Sequence, residues 1–302
     1  MKIPYFGRLS LRWCMGCNVP VLGERCGVCG GRTVEVQITP PGDARPAFQG
    51  DVELINKTLE RQFGCRLLPE DKVVVLNKAS GLERFDEVVM DGAVLGALRY
   101  DPGRGAFEFL PRLEGARRIW ALSRRKYVEV DPGAREHIVK GASVLMPGVT
   151  DFDRWIERDE EVIVVSGGEV IGVGRSRLSG EEALAATRGA FAKTRRGAPP
   201  EGPKVLEGGQ DWSLAVRANG HVLERCESEA REFISRVAEG PLPKAVAFSG
   251  GKDSLATLLL VRKVLQDFSV IFVDTDVEFP ETLEYVERIA ARLSLRLLRG
   301  FS

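Results

Sequence analysis

The sequence predicts a multidomain chain, α+β over its first two thirds and α/β at its end. Three observations carry this prediction. Ala245-Val246-Ala247-Phe248 runs into Ser249-Gly250-Gly251-Lys252-Asp253-Ser254 and then into Leu255, Leu258, Leu259, Val261, Val264 and Leu265. That is a buried strand, a glycine-rich turn and an apolar helical face in succession. Near the start, four cysteines form two Cys-x-x-Cys pairs. Between these ends, short apolar runs alternate with turn signals, and two stretches rich in Gly and Pro interrupt them.

The bulk numbers set bounds. A chain of 302 residues holds two or three domains. Its 44% apolar and 28% charged content describes a soluble globular protein. The formal net charge is zero, so any contact with nucleic acid must come from local patches. No apolar run reaches membrane-spanning length and no signal-peptide pattern opens the chain, so a cytoplasmic protein is expected. Asn and Gln are scarce beside Arg and Glu, which leans toward a thermophilic source.

Residues 1–38 read as a zinc ribbon. Cys14-Met15-Gly16-Cys17 and Cys26-Gly27-Val28-Cys29-Gly30 are two knuckles, and each can clamp one edge of a tetrahedral metal. Four thiolates leave no open coordination position, so the zinc is expected to be structural. Disulfides and a rubredoxin-like iron site are the competing readings. Cys65 and Cys226 stand alone and read as small buried apolar residues.

Thr39-Pro40-Pro41-Gly42-Asp43 reads as a linker. Residues 43–126 form a small α+β module. Val52, Ile55, Leu59 and Phe63 share a helical face, and Val73 to Leu76 is a strand. Asp91-Gly92 is a favoured two-residue turn between Val88-Val89-Met90 and Ala93-Val94-Leu95. Phe107 and Phe109 alternate on a further strand. Arg112, Arg117, Arg118, Arg124, Arg125 and Lys126 make its end basic. This run is a solvated face or a strip for phosphates.

Residues 127–197 change character. Tyr127 to Asp131 is a short strand, Pro132 opens a helix that Gly141 ends, and Ser143 to Met146 is a strand closed by Pro147-Gly148. Ser166-Gly167-Gly168 joins two further strands. The segment resembles a PUA domain, a small RNA-binding β-barrel, through Asp131, Gly133-Ala134, Lys140-Gly141-Ala142, Pro147-Gly148-Val149 and Gly172-x-Gly174. Arg158-Asp159 stands where that family has Gly-Asp. The resemblance implies RNA contacts at Arg135, Lys140, Gly141, Ala142, Pro147 and Gly148, with tRNA as the expected partner. His137 and His221 read as exposed helix residues rather than bases.

Gly197 to Gln210 reads as a second linker, and Leu223, Cys226, Ala230, Phe233 and Val237 mark an amphipathic helix. Residues 211–302 then carry the glycine-rich turn. It is not a Walker A loop: Val246 occupies the first glycine position and Asp253 follows the lysine. A turn of this kind gathers backbone N–H groups at a helix N-terminus and suits a phosphate or sulfate. It resembles the PP-loop of the ATP-pyrophosphatase superfamily. Asp274-Thr275-Asp276-Val277-Glu278-Phe279-Pro280-Glu281-Thr282, after the strand Val270 to Val273, resembles the phosphoadenosine phosphosulfate (PAPS) reductase family, with Asp276 where glycine is usual.

The resemblance implies a partial PP-loop domain, a Rossmann-like parallel sheet that binds an adenine nucleotide (PAPS, adenylyl sulfate or ATP), with Mg as an accompanying ion. Ser249, Gly250, Gly251, Lys252, Asp253 and Ser254 would hold the anion; Asp274 and Thr275 would lie by the base and ribose. The family's catalytic cysteine in a Glu-Cys-Gly context has no counterpart, so the chain by itself is expected to be inactive and to need a second half, from the same gene or a second polypeptide. Three functions follow: a sulfur-metabolism protein, an ATP-dependent tRNA-thiolating enzyme, or a non-catalytic RNA-binding protein.

Overall fold

The computed structural model describes residues 10–40, 42–208 and 211–301. Residues 1–9 of the predicted ribbon, Pro41 of the first linker, Gly209-Gln210 of the second and Ser302 lie outside the described residues. The chain divides between Asn219 and Gly220 into two compact units.

The first unit begins with β1 (Arg12–Cys14), β2 (Val19–Val21) and β3 (Val34–Glu35), which form a sheet in the order β2-β1-β3. A five-stranded antiparallel sheet follows in sequence order: β4 (Asp43–Pro46), β5 (Val75–Lys78), β6 (Phe85–Met90), β7 (Ala93–Asp101) and β8 (Ala106–Pro111), with α1 (Gln49–Phe63) inserted after β4. α1 places Ile55, Leu59 and Phe63 in the core, as its spacing predicts. Asp91 (φ 52°) and Gly92 (φ 73°) form the expected hairpin turn. α2 (Leu113–Leu122) carries Arg117 and Arg118 of the basic run.

Next come β9 (Tyr127–Val130), α3 (Pro132–Val139), β10 (Val144–Leu145), a 3-10 turn at Met146–Gly148, β11 (Val149–Phe152), β12 (Glu161–Ser166), β13 (Glu169–Ser176), α4 (Gly180–Ala185) and β14 (Ala190–Gly197). The strands order as β10-β14-β13-β12-β9-β11, a near-barrel in which β9 and β12 are parallel. Ile163, Val165, Val170 and Val173 share a core with Ile55, Leu59 and Ile119, so this sheet and the preceding module pack as one body.

The second linker does not hang free. Lys204 N–H donates to Glu114 Oε1, Arg118 donates to Lys204 O, and Leu206 packs near Trp13, Val73 and Val89. α5 (Trp212–Ala218) then lies on the cysteine module, where Ala215 and Ala218 pack with Cys14, Val19, Val21 and Cys26. The strap is fixed by Asp91. Its carboxylate is buried and takes Lys72, Arg118 and Asn18, and Asn18 also holds the Trp13 indole N–H. Burial pushes Asp91 up, but these donors outweigh it and hold the carboxyl below its usual range.

The second unit opens with α6 (Gly220–Val237) and continues as β15 (Ala245–Ala247), α7 (Lys252–Val264), β16 (Ser269–Asp274), α8 (Pro280–Arg292) and β17 (Arg296–Phe301). The strands are parallel in the order β15-β16-β17. Both crossovers step the same way, so the right-handed rule puts α7 and α8 on one face. Val246, Val270 and Phe272 are buried there with Leu258, Val261 and Val286. On the other face Ala245, Ala247, Ile271, Val273 and Leu298 are exposed, Val273 by 52%. Cys226 is half-buried against α7 rather than buried as expected.

Candidate functional site

Three groups of residues carry chemistry. In the first, β1 ends at Cys14 and the chain turns back through Asn18 (φ 53°), which brings Cys17 beneath it; the Cys17 N–H points at Cys14 Sγ at 3.4 Å. The second knuckle turns at Gly30 (φ 68°), and Gly27 N–H is anchored on Ala218 O of α5. All four sulfurs lie within 4.8 Å of one another. Cys14–Cys29 is 3.5 Å and Cys17–Cys26 is 3.9 Å. These separations bracket the edge of about 3.8 Å that a tetrahedron with metal–sulfur bonds of about 2.3 Å requires, and they are far longer than a disulfide bond. The cluster fits a four-thiolate metal. Burial raises the Cys14 and Cys17 thiols, whereas a hydrogen bond from the Gly31 N–H lowers Cys29 to about 7.

The second group is the loop between β15 and α7. Gly250 adopts φ 80°, the left-handed conformation that glycine permits, and Gly251 caps α7 in extended geometry. The first helical bond is Leu255 N–H to Gly251 O, which leaves the N–H groups of the first turn directed out of the helix end. Ser249 N–H and Oγ both approach Ser254 Oγ, at 3.3 and 3.1 Å, and Ser254 Oγ donates to Gly251 O. The hydroxyls therefore brace the loop's two ends together. A Cβ on Gly250 would meet Thr282 Cγ2 at 3.2 Å and Val286 Cγ2 at 3.4 Å. The glycine turn and the Phe-Pro-Glu-Thr stretch, separate in sequence, thus pack on each other.

Asp274 ends β16, the strand beside β15, so its carboxylate leaves the sheet at the same edge as the loop. It is buried and pairs with Arg299 at 2.5 Å. Arg299 and then the Asp276 N–H hold its carboxyl below the usual range. Asp276 itself sits at φ 61°, so the turn keeps the left-handed conformation that glycine would supply; Asp adopts it at modest cost. Thr275 Oγ1 donates to Glu278 Oε1. Sequence reasoning missed Arg299, because only the parallel register of β16 and β17 brings it to Asp274.

The third group surrounds α3. Asp131 caps the helix through Gly133 N–H and Ala134 N–H, and Gly148 closes against Asp131 Oδ2 and Ala134. Gly141 N–H and Ala142 N–H bond to Ile138 O and His137 O, so these amides are spent on the helix end. Lys140 is exposed beside Glu136, Pro147 is exposed, and Arg135 folds back onto Ser166 O. His137 and His221 are exposed, as expected.

The PUA domain family matches residues 126–198, and the phosphoadenosine phosphosulfate reductase domain family matches residues 243–300. The chain carries a PUA domain and part of a PAPS reductase domain. The Methanocaldococcus jannaschii protein MJ0066 is 36% identical over 305 residues, 98% of this chain and 64% of that protein. The sulfate adenylyltransferase subunit 2 of Streptomyces lavendulae is 38% identical over 79 residues, 25% of each chain. The chain spans less than two thirds of the length of the curated relatives it matches. Among solved structures, the Pyrococcus horikoshii hypothetical protein PH0734.1 has a TM-score of 0.43 at 23% identity, covering 52% of this chain and 96% of that one. Among the described residues, no helix is long and apolar enough to cross a membrane.

Proposed function

We propose that the PAPS reductase segment binds the anionic tail of an adenine nucleotide and that the PUA domain binds RNA. One observation carries the nucleotide half. Gly250, at φ 80° and backed by Thr282, holds the loop open at the N-terminus of α7, beside the carboxyl end of β16. In this reading Ser249, Gly250, Gly251, Lys252, Asp253 and Ser254 receive the phosphate or phosphosulfate, and Asp274 and Thr275 flank the nucleoside. Lys252 supplies a positive charge. Mg would be a partner of the phosphates. Zinc in the Cys14, Cys17, Cys26, Cys29 cluster would hold the ribbon and, through it, α5.

The match to the phosphoadenosine phosphosulfate reductase domain family favours adenylyl sulfate or PAPS as the ligand. A PUA domain on the same chain favours the second reading, ATP-dependent thiolation of tRNA. In either case further polypeptide would cover the bare face of the β15-β16-β17 sheet, because parallel sheets are stable with both faces covered.

Calorimetric titration of the chain with ATP, adenylyl sulfate and PAPS, alongside tRNA binding, tests these readings. Lys252→Ala should weaken the nucleotide and spare RNA, and Lys140→Glu should weaken tRNA and spare the nucleotide. If no nucleotide binds, the loop reading fails. If tRNA does not bind, the PUA reading fails.

A further inference from the structure

The basic run at residues 112–126 is divided by the fold. Arg112 pairs with Glu87, Arg117 with Glu114 and Glu201, Arg118 with Asp91 and Glu114, and Lys126 with Glu160. Arg124 and Arg125 make no ion pair among the described residues. The Arg124 guanidinium lies 3.7 Å over the Trp120 ring, and that indole donates to Gly168 O, next to the Gly167 that packs on Arg135. Arg125 lines a cleft of about 490 Å³ between the α+β module and the PUA domain. Its volume falls within the usual small-ligand range of about 300–1,000 Å³.

The carboxylates of this cleft are already engaged. Glu160 takes Lys126, Glu108 takes Arg99 and Arg175, and Asp101 caps the turn at Gly103 and Arg104. The Arg104 guanidinium has no partner among the described residues. At the rim stands Trp155, 78% exposed. Its backbone is held on both sides, the N–H by Asp153 Oδ1 at 3.0 Å and the carbonyl by Lys126 Nζ at 2.6 Å. A large aromatic ring is thus presented to solvent from a fixed support, beside two guanidinium groups that make no ion pair among the described residues. Aromatic platforms combined with unneutralised arginines are how proteins hold unpaired nucleotides.

We infer that the cleft bounded by Trp155, Arg104 and Arg125 binds a single-stranded stretch of RNA, one base stacked on Trp155 and its phosphates against the two arginines. Arg124 on Trp120 continues the track toward Arg135 and the PUA groove. The inference rests on the RNA reading of the PUA domain and adds a second contact outside that groove.

The test is fluorescence anisotropy of the whole chain with labelled oligouridylate at several salt concentrations, with poly-glutamate as a competing polyanion. Stacking on one base is worth about 1–3 kcal/mol, so Trp155→Ala should weaken binding about 5- to 150-fold. Each phosphate contact on a single strand contributes about 0.7 to the log–log salt slope. Arg104→Ala with Arg125→Ala should therefore reduce that slope by about 1.4. All three side chains are at the surface, so the variants should fold, which retention of metal and of circular dichroism checks. If the wild type binds oligouridylate or tRNA and neither variant changes it, the inference is wrong and the PUA reading stands. If the wild type binds no RNA, both fall. Displacement of RNA by poly-glutamate as effectively as by unlabelled RNA would show mere charge and overturn the stacked-base claim.

Discussion

Gly250→Ala should damage the glycine-rich loop between β15 and α7, whereas Gly251→Ala, one residue on, should leave its conformation intact. Gly250 sits at φ 80°, where an L-residue costs about 1–2 kcal/mol. Its new Cβ would stand 3.2 Å from Thr282 Cγ2 and 3.4 Å from Val286 Cγ2. Both neighbours are β-branched and stiff on their helix, so relief must come from the backbone. Together the two effects should cost about 1.5–2.5 kcal/mol. At Gly251 φ is −79° and the nearest atom to an added Cβ is Ser249 Oγ at 3.5 Å, so stability should change by no more than about 0.5 kcal/mol. Denaturant unfolding and titration with adenylyl sulfate measure the two consequences. If the loop stays in place the loss appears as stability; if it relaxes, affinity falls about 10- to 70-fold. Thr282→Ser removes the methyl group and should restore only the steric part in the Gly250→Ala background. A Gly250→Ala variant with unaltered stability and affinity would refute the strained-loop account.

Metal analysis should find one tetrahedral metal per chain, and Cys14→Ser, at a buried ligand, should abolish it. Chelation should also lower the unfolding temperature, because α5 packs directly on the cysteine module. Asp91→Asn should cost about 3–5 kcal/mol at pH 7, the usual effect of breaking a buried ion pair. Because the folded carboxyl is held below its ordinary value, its contribution is full above about pH 5 and is lost as pH falls through the folded value. The gap between wild type and Asp91→Asn, measured by urea unfolding, should therefore narrow in acid. On the β16 strand, Val273→Glu should leave the chain folded and reduce binding of a hydrophobic dye. Phe272→Glu, on the buried face, should unfold the unit.

Much of this was legible in the sequence because it rests on local rules. The Cys-x-x-Cys pairs, the Asp91-Gly92 turn, Pro132 at the start of α3 and the strand–glycine turn–helix at residues 245–264 each state their geometry within a few residues. The α2 helix was not foreseen, since its arginines read as a surface strip. Those arginines are in fact buried with carboxylates brought from distant segments: Asp91 lies 27 residues from Arg118, and Lys204 O, another of its acceptors, lies 86 residues away. The Gly- and Pro-rich composition at residues 197–210 reads as a linker and says nothing of the backbone hydrogen bonds that strap it down.

The sequence by itself determined the kinds of chemistry present: four thiolates at metal spacing, a glycine-rich turn at a helix N-terminus and a PUA segment, because backbone permission and ligand type are properties of neighbouring residues. Only the tertiary structure decided which charges remain available. It spends Arg112, Arg117, Arg118 and Lys126 on buried or half-buried partners, pairs Arg299 with Asp274 through strand register, and leaves Arg104, Arg125 and Trp155 facing solvent. Electrostatic attraction acts through space, so the fate of each charge depends on the residues the fold brings to it and not on those beside it in the chain.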